Sequence, residues 1–189
     1  MKTVKVIICI CFICIVVLVT PIYPALNSEN LKGLIIDGKN FWFIISEPEG
    51  WTVEIEDANA RKLNAYFVLS GHTWDNSPGV IYIRVMDKEC LTVKQHLEAD
   101  MKNFKIKKQK IQFKRFDVKD IRYRHASKTY LIDNKYCDYL CYVDPGPEYR
   151  TYLIFVLSAD MKACGKYTTI FRTFLKSFQW GGDQVKVVK

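Results

Sequence analysis

Hydrophobic and polar positions alternate with a period of two in several short runs. Trp51, Val53 and Ile55 alternate with Thr52, Glu54 and Glu56, which is the pattern of a half-buried strand. Just upstream, Phe41-Trp42-Phe43-Ile44-Ile45 is an apolar run of strand length, and Pro48 and Gly50 supply turn chemistry between the two. The spacing predicts a hairpin from this pair. Residues 57–64 suit a short helical turn, 65–70 a strand, and 71–79 a polar loop holding His72, Trp74 and Pro78. Residues 80–86 return to period two, with Ile81, Ile83 and Val85 on one face.

The period then changes. Val93, Leu97, Met101 and Phe104 recur at i, i+4, i+8 and i+11, an apolar helical stripe suited to cover a sheet. Thr92-Val93-Lys94-Gln95 has the form of a capping box at its start. A basic strand follows over 109–116, where Ile111 and Phe113 alternate with charge. Residues 129–132, 136–143 and 149–157 read as a three-strand meander, separated by Asp133-Asn134-Lys135 and Pro145-Gly146-Pro147. Residues 152–157 are apolar on both faces and belong in the middle of the sheet. Ser158 suits the cap of a last helix, with Tyr167, Ile170, Phe171, Phe174, Leu175 and Phe178 as its buried stripe and Gly181-Gly182 as its end. The sum is an α+β domain: a curved antiparallel sheet covered by helices, an α/β/α sandwich.

The first residues change the setting. Two lysines, Lys2 and Lys5, precede an uncharged apolar run over residues 6–20, and Pro21 and Pro24 follow. That is a signal peptide, shorter than the roughly 20 residues of a relaxed membrane span. Residues 1–25 are therefore expected to be cleaved, and to serve as a membrane anchor if they are not. The organisation expected is 26–39 as a lead-in, 40–182 as the α/β domain and 183–189 as a short tail. The protein is expected to be exported, periplasmic or secreted. An exported chain tolerates disulfides, and Cys90, Cys137, Cys141 and Cys164 lie beyond the apolar run. Cys137 and Cys141 fall in one strand about 13 Å apart, too far for the about 7 Å that a disulfide spans. Other pairings, or buried thiols, stay open.

Taken together, Pro48-x-Gly50-Trp51 after an apolar strand, the strand–capped helix–meander order, and Phe174-Leu175-Lys176-Ser177-Phe178-x-Trp180 at the end of the last helix resemble the PsbP-like family of α/β/α sandwiches, which includes exported bacterial DcrB-like members. The resemblance spans about residues 40–180. It implies a binding, assembly or chaperone module rather than an enzyme. It carries over fold determinants (Pro48, Gly50, Trp51, Phe174 and Phe178) and no catalytic residue. The lipid-modified cysteine of the lipoprotein members has no counterpart, because Phe12 and Ile13 precede Cys14 where small residues belong.

Chemical motifs are sparse. No nucleophile elbow, P-loop, zinc-protease helix or calcium loop occurs, and no cofactor or metal site is expected. An enzymatic alternative, a small envelope hydrolase or thiol enzyme, rests on His72 or on Cys90 at a helix N-terminus. Trp74, in a polar loop, is the aromatic best suited to a partner contact. Charge is unevenly spread: residues 102–124 hold ten basic and two acidic side chains. Lys105, Lys107, Lys108, Lys110, Lys114 and Arg115 form the core of this run. Lys108, Lys110 and Lys114 have parity opposite to Ile111 and Phe113 and are expected to face water. The run either discourages edge-to-edge pairing or contacts an unknown protein or an anionic envelope surface, including weak peripheral membrane contact. Nucleic acid is disfavoured by the export signal.

Overall fold

The computed structural model describes residues 33–38, 40–89, 91–106 and 111–183. Ten strands and three helices alternate along them. Seven strands form one antiparallel sheet in the order β3-β4-β5-β9-β8-β7-β6. They are β3 (Trp51–Glu54), β4 (Ala65–Leu69), β5 (Gly79–Asp87), β6 (Ile111–Lys114), β7 (Arg124–Ile132), β8 (Tyr136–Asp144) and β9 (Thr151–Asp160). The other three, β1 (Leu34–Asp37), β2 (Phe41–Ile45) and β10 (Gln179–Asp183), form a small sheet in the order β1-β2-β10.

Side-chain parity sorts the large sheet into two faces. On one, Phe67, Ile81, Ile83, Cys141, Phe155 and Leu157 are buried against Tyr167, Phe171, Phe174 and Leu175 of α3 (Cys164–Ser177), with Phe43 and Ile45 of the small sheet. The layer is aromatic: Phe174 meets Phe67 edge-on at 4.9 Å, and Phe178 meets Phe155 at 5.1 Å. On the other face, Tyr130, Leu140, Tyr142, Tyr152 and Val156 are covered by Val93 and Leu97 of α2 (Val93–Ile106). Beside it, Ala58 of α1 (Glu56–Ala60) packs with Leu63, Tyr66, Val68 and Val80. Helices on both faces of one antiparallel sheet make the α/β/α sandwich of the α+β class. Among the described residues no helix is long and apolar enough to cross a membrane.

Several expectations are met in detail. Trp51 is buried and stands edge-on to Tyr167 at 5.4 Å. Gly50 takes φ +75°, and the Trp51 amide donates to the Pro48 carbonyl at 3.0 Å, so Pro48 and Gly50 shape the turn into β3. Phe174 and Phe178 are both buried. The capping box is formed: the Gln95 amide donates to Thr92 Oγ1 at 3.3 Å, and the Thr92 amide donates to Gln95 Oε1 at 2.8 Å. β7, β8 and β9 run as the meander, and β9 lies centrally between β5 and β8.

Four local readings are corrected. β2 and β3 are not a hairpin: β2 pairs with β1 and β10, while β3 pairs with β4. Residues 34–37, read as part of a lead-in, are the edge strand β1. Ser158 does not cap α3, because β9 runs on to Asp160 and the helix begins at Cys164. Gly181-Gly182 does not end the helix. The two glycines lie in β10, whose pairing to β2 shifts between Trp180 and Gly182, and the Trp42 ring occupies the place where a side chain of Gly181 would stand. Residues 1–32 and 184–189, which include the expected signal segment, lie outside the described residues.

Among the described residues one disulfide is present. Cys137 on β8 and Cys164 at the start of α3 are joined, with Cα atoms 6.3 Å apart. Cys141 is a free, buried thiol, and burial pushes its pKa well above the ordinary thiol range.

Candidate anion-binding edge

The basic edge is built by β6, the segment after it, and α2. At β6, Ile111 and Phe113 turn toward the α2 face, where Phe113 stands edge-on to Tyr130 at 5.1 Å. Gln112 and Lys114 have the opposite parity and are exposed. The chain then leaves the sheet but stays pinned to β7. Ser127 Oγ donates to the Phe116 carbonyl at 2.5 Å, and His125 Nε2 lies 3.0 Å from the Val118 carbonyl. Phe116 and Val118 are thereby buried in the main core, while Arg115, Asp117 and Lys119, which alternate with them, are exposed. The alternation is a strand pattern carried on without a ladder partner.

α2 faces this segment across an open groove of about 540 Å³. Leu97, Met101, Phe116 and Val118 line its apolar part. Lys94, Arg115, Lys119 and Lys128 bring four cations to it, against the two carboxylates of Glu98 and Asp117. Both acids are engaged: Arg115 Nε is 2.7 Å from Asp117 Oδ1, and Lys94 Nζ is 4.0 Å from Glu98 Oε1. The hydrogen bond that Arg115 donates to Asp117 raises the already high pKa of its guanidinium, so that charge is permanent. No ion pair to Lys119 or Lys128 is found among the described residues. The groove therefore has net positive charge beside an apolar floor, a combination suited to an anion carrying an apolar portion.

Of the sequence-predicted residues, Lys114 and Arg115 are exposed on this edge. The side chain of Lys105, and Lys107, Lys108 and Lys110 as whole residues, lie outside the described residues, as does Cys90. Lys94 and Lys128 were missed by the sequence reading, because a helix residue and a residue of β7 converge only through the fold. Trp74 is not part of the edge. It is half-buried on the α1 side, edge-on to Tyr66 at 5.2 Å and tilted against Tyr82 at 5.6 Å, with the Arg61 guanidinium 5.0 Å from its ring centre.

The histidines separate cleanly. His72 is exposed on a turn, and among the described residues its ring approaches only the Ser70 carbonyl, at 3.4 Å. Among the described residues it has neither a carboxylate to orient it nor a nucleophile in reach, so this geometry lends the His72 form of the hydrolase alternative no support. His96 stacks on Tyr152 at 4.3 Å beneath α2. His125 spends both ring nitrogens on backbone carbonyls, those of Tyr123 and Val118. No group of three or more His, Cys, Asp or Glu residues suited to a metal ion occurs among the described residues.

An antiparallel sheet with α2 on one face, and α3 with a small sheet on the other, defines the class as an α/β/α sandwich. No protein-family profile matches the chain, and no curated protein matches it. A solved structure does: cyanobacterial PsbP (CyanoP) from Synechocystis, at 12% identity, with 73% of this chain and 86% of that chain covered and a TM-score of 0.50. The chain has the PsbP-like fold.

Proposed function

We propose that the protein is a non-catalytic binding module of the cell envelope that docks on anionic surfaces through the groove between α2 and residues 115–119. One observation carries this reading. Lys94, Arg115, Lys119 and Lys128 come from three separate parts of the chain and converge on one apolar-floored groove. It adjoins the most basic stretch of the sequence, residues 102–124. The PsbP-like fold agrees with a binding role as the sequence resemblance implies it, and the N-terminal pattern agrees with export. Each basic residue near an anionic bilayer contributes about 1 kcal/mol. Four cations less the two carboxylates leave a net of two charges, about 2 kcal/mol at low salt, a weak and reversible hold of about thirtyfold.

Co-sedimentation with vesicles tests this. The protein should pellet with phosphatidylglycerol vesicles at low salt, stay in solution with phosphatidylcholine vesicles, and be released at high salt as screening shortens the Debye length. The combined variant Lys114→Glu, Arg115→Glu, Lys119→Glu and Lys128→Glu should lose binding while keeping the parent circular dichroism spectrum. Wild-type protein that stays in solution with phosphatidylglycerol at low salt overturns the proposal.

A further inference from the structure

A second groove, of about 340 Å³, opens on the α1 side of the large sheet where β8 and β9 meet the loop after β4. None of its residues belongs to the basic edge. Trp74 and Pro78 form one wall and Tyr136 the other, with Asp75 and Asp160 bringing carboxylates and Ser158 at the base. The sheet register fixes this set. Tyr136 lies directly across from Asp160, and on the next rung of the same face Asp138 lies across from Ser158. Tyr136 is 50% exposed, far more than a phenol ring in a sheet needs to be. Asp160 has no ion pair among the described residues, and Asp75 has only a long one, 3.8 Å from Arg61.

Beneath the groove lies a carboxyl group with one unpartnered oxygen. Asp138 accepts a hydrogen bond from Ser158, but its Oδ1 is shielded from solvent with no partner among the described residues. Its other neighbours are tyrosines, with Tyr130 across on β7 and Tyr82 close by on β5. Those phenols provide no positive charge. The natural complement to a carboxylate-rich groove walled by aromatic rings, over a buried carboxylate, is a cation with a flat π-stacking face. The protein already makes that pairing nearby: the Arg61 guanidinium sits over the Trp74 ring and donates to Asp57 at 2.8 Å.

The geometry points to this groove as a receptor for an arginine side chain of a partner polypeptide, its guanidinium stacked on Tyr136 and paired with Asp160. Ser158 provides a hydroxyl at the base.

Titration of the full-length ¹⁵N-labelled protein with N-acetyl-arginine amide tests the assignment. The amides of Tyr136 and Asp160 should shift saturably, and the citrulline counterpart, which has the same shape without the charge, should leave them in place. Asp160→Asn and Tyr136→Ala, both at exposed positions, should each weaken binding by about two- to fivefold, the scale of a lost exposed charge pair or ring–cation contact. Equal shifts with citrulline, no saturation, or unchanged affinity in Asp160→Asn overturns the proposal. Equal binding of N-acetyl-lysine amide overturns the choice of arginine.

Discussion

Breaking the bond between Cys137 and Cys164 removes the only side-chain cross-link between α3 and the large sheet among the described residues. The two cysteines are 27 residues apart. In the chain-entropy account, closing a loop of that length takes about 12 cal/mol/K from the unfolded ensemble, or about 3.5 kcal/mol at 25 °C. The double variant Cys137→Ala, Cys164→Ala should lose roughly that amount. It is preferable to either single change, because a lone Cys137 or Cys164 thiol would be left in the same core as Cys141. For a domain of this size the melting temperature should fall by about 7–14 °C. Urea unfolding followed by circular dichroism gives the free energy directly, and the parent and variant spectra at zero urea show whether the fold survives. A loss below about 1 kcal/mol would refute the reasoning, by showing that the cross-link does not restrict the unfolded chain. Reduction gives an independent reading. Cys137 and Cys164 are both buried, so a reductant should act on the native protein at the rate of unfolding and not at the rate of an exposed disulfide.

Two further outcomes follow from the core. Trp51→Ala should cost about 3–5 kcal/mol in the same urea assay, the range for removing a buried large side chain, and an unchanged midpoint would show that the contact with Tyr167 is not part of the packed core. Asp138→Asn should stabilise the protein at neutral pH. Burial raises the native Asp138 pKa, so between the ordinary carboxylate value and that raised one the fold retains a proton that the unfolded chain has released, and stability falls as pH rises through the window. The gain from Asn should therefore vanish below the ordinary carboxylate range. A melting temperature for Asp138→Asn equal to or below the parent at neutral pH would contradict this.

The elements were legible where one physical signal set them. The stripe of α2 and the Thr92–Gln95 box define that helix locally, and period two defines β3 and β5. Partnership was not legible. A turn between two apolar runs looks the same whether the strands pair or part, so β2 and β3 were joined on paper although they belong to different sheets. β10 was hidden for a related reason. Its two glycines read as a helix stop, and only the Trp42 ring, more than a hundred residues away in sequence, explains why the strand has no side chain at Gly181. Ser158 is a good cap by residue type, yet its hydroxyl serves Asp138 one strand over. The basic edge was half visible: the charge run showed Lys114, Arg115 and Lys119, but Lys94 and Lys128 reach the groove only through packing.

The pairing of β10 with β2 has a consequence for how the domain is made. Gln179 lies opposite Ile44, so one strand waits for a partner made more than a hundred residues later. Loop closure over such a separation is entropically slow, and a nascent chain lacking residues 179–183 leaves one edge of β2 open. Phe41, Phe43 and Trp180, stacked on one another within 6.1–6.4 Å, cannot assemble until then. The small sheet thus stays incomplete until residues 179–183 have been made.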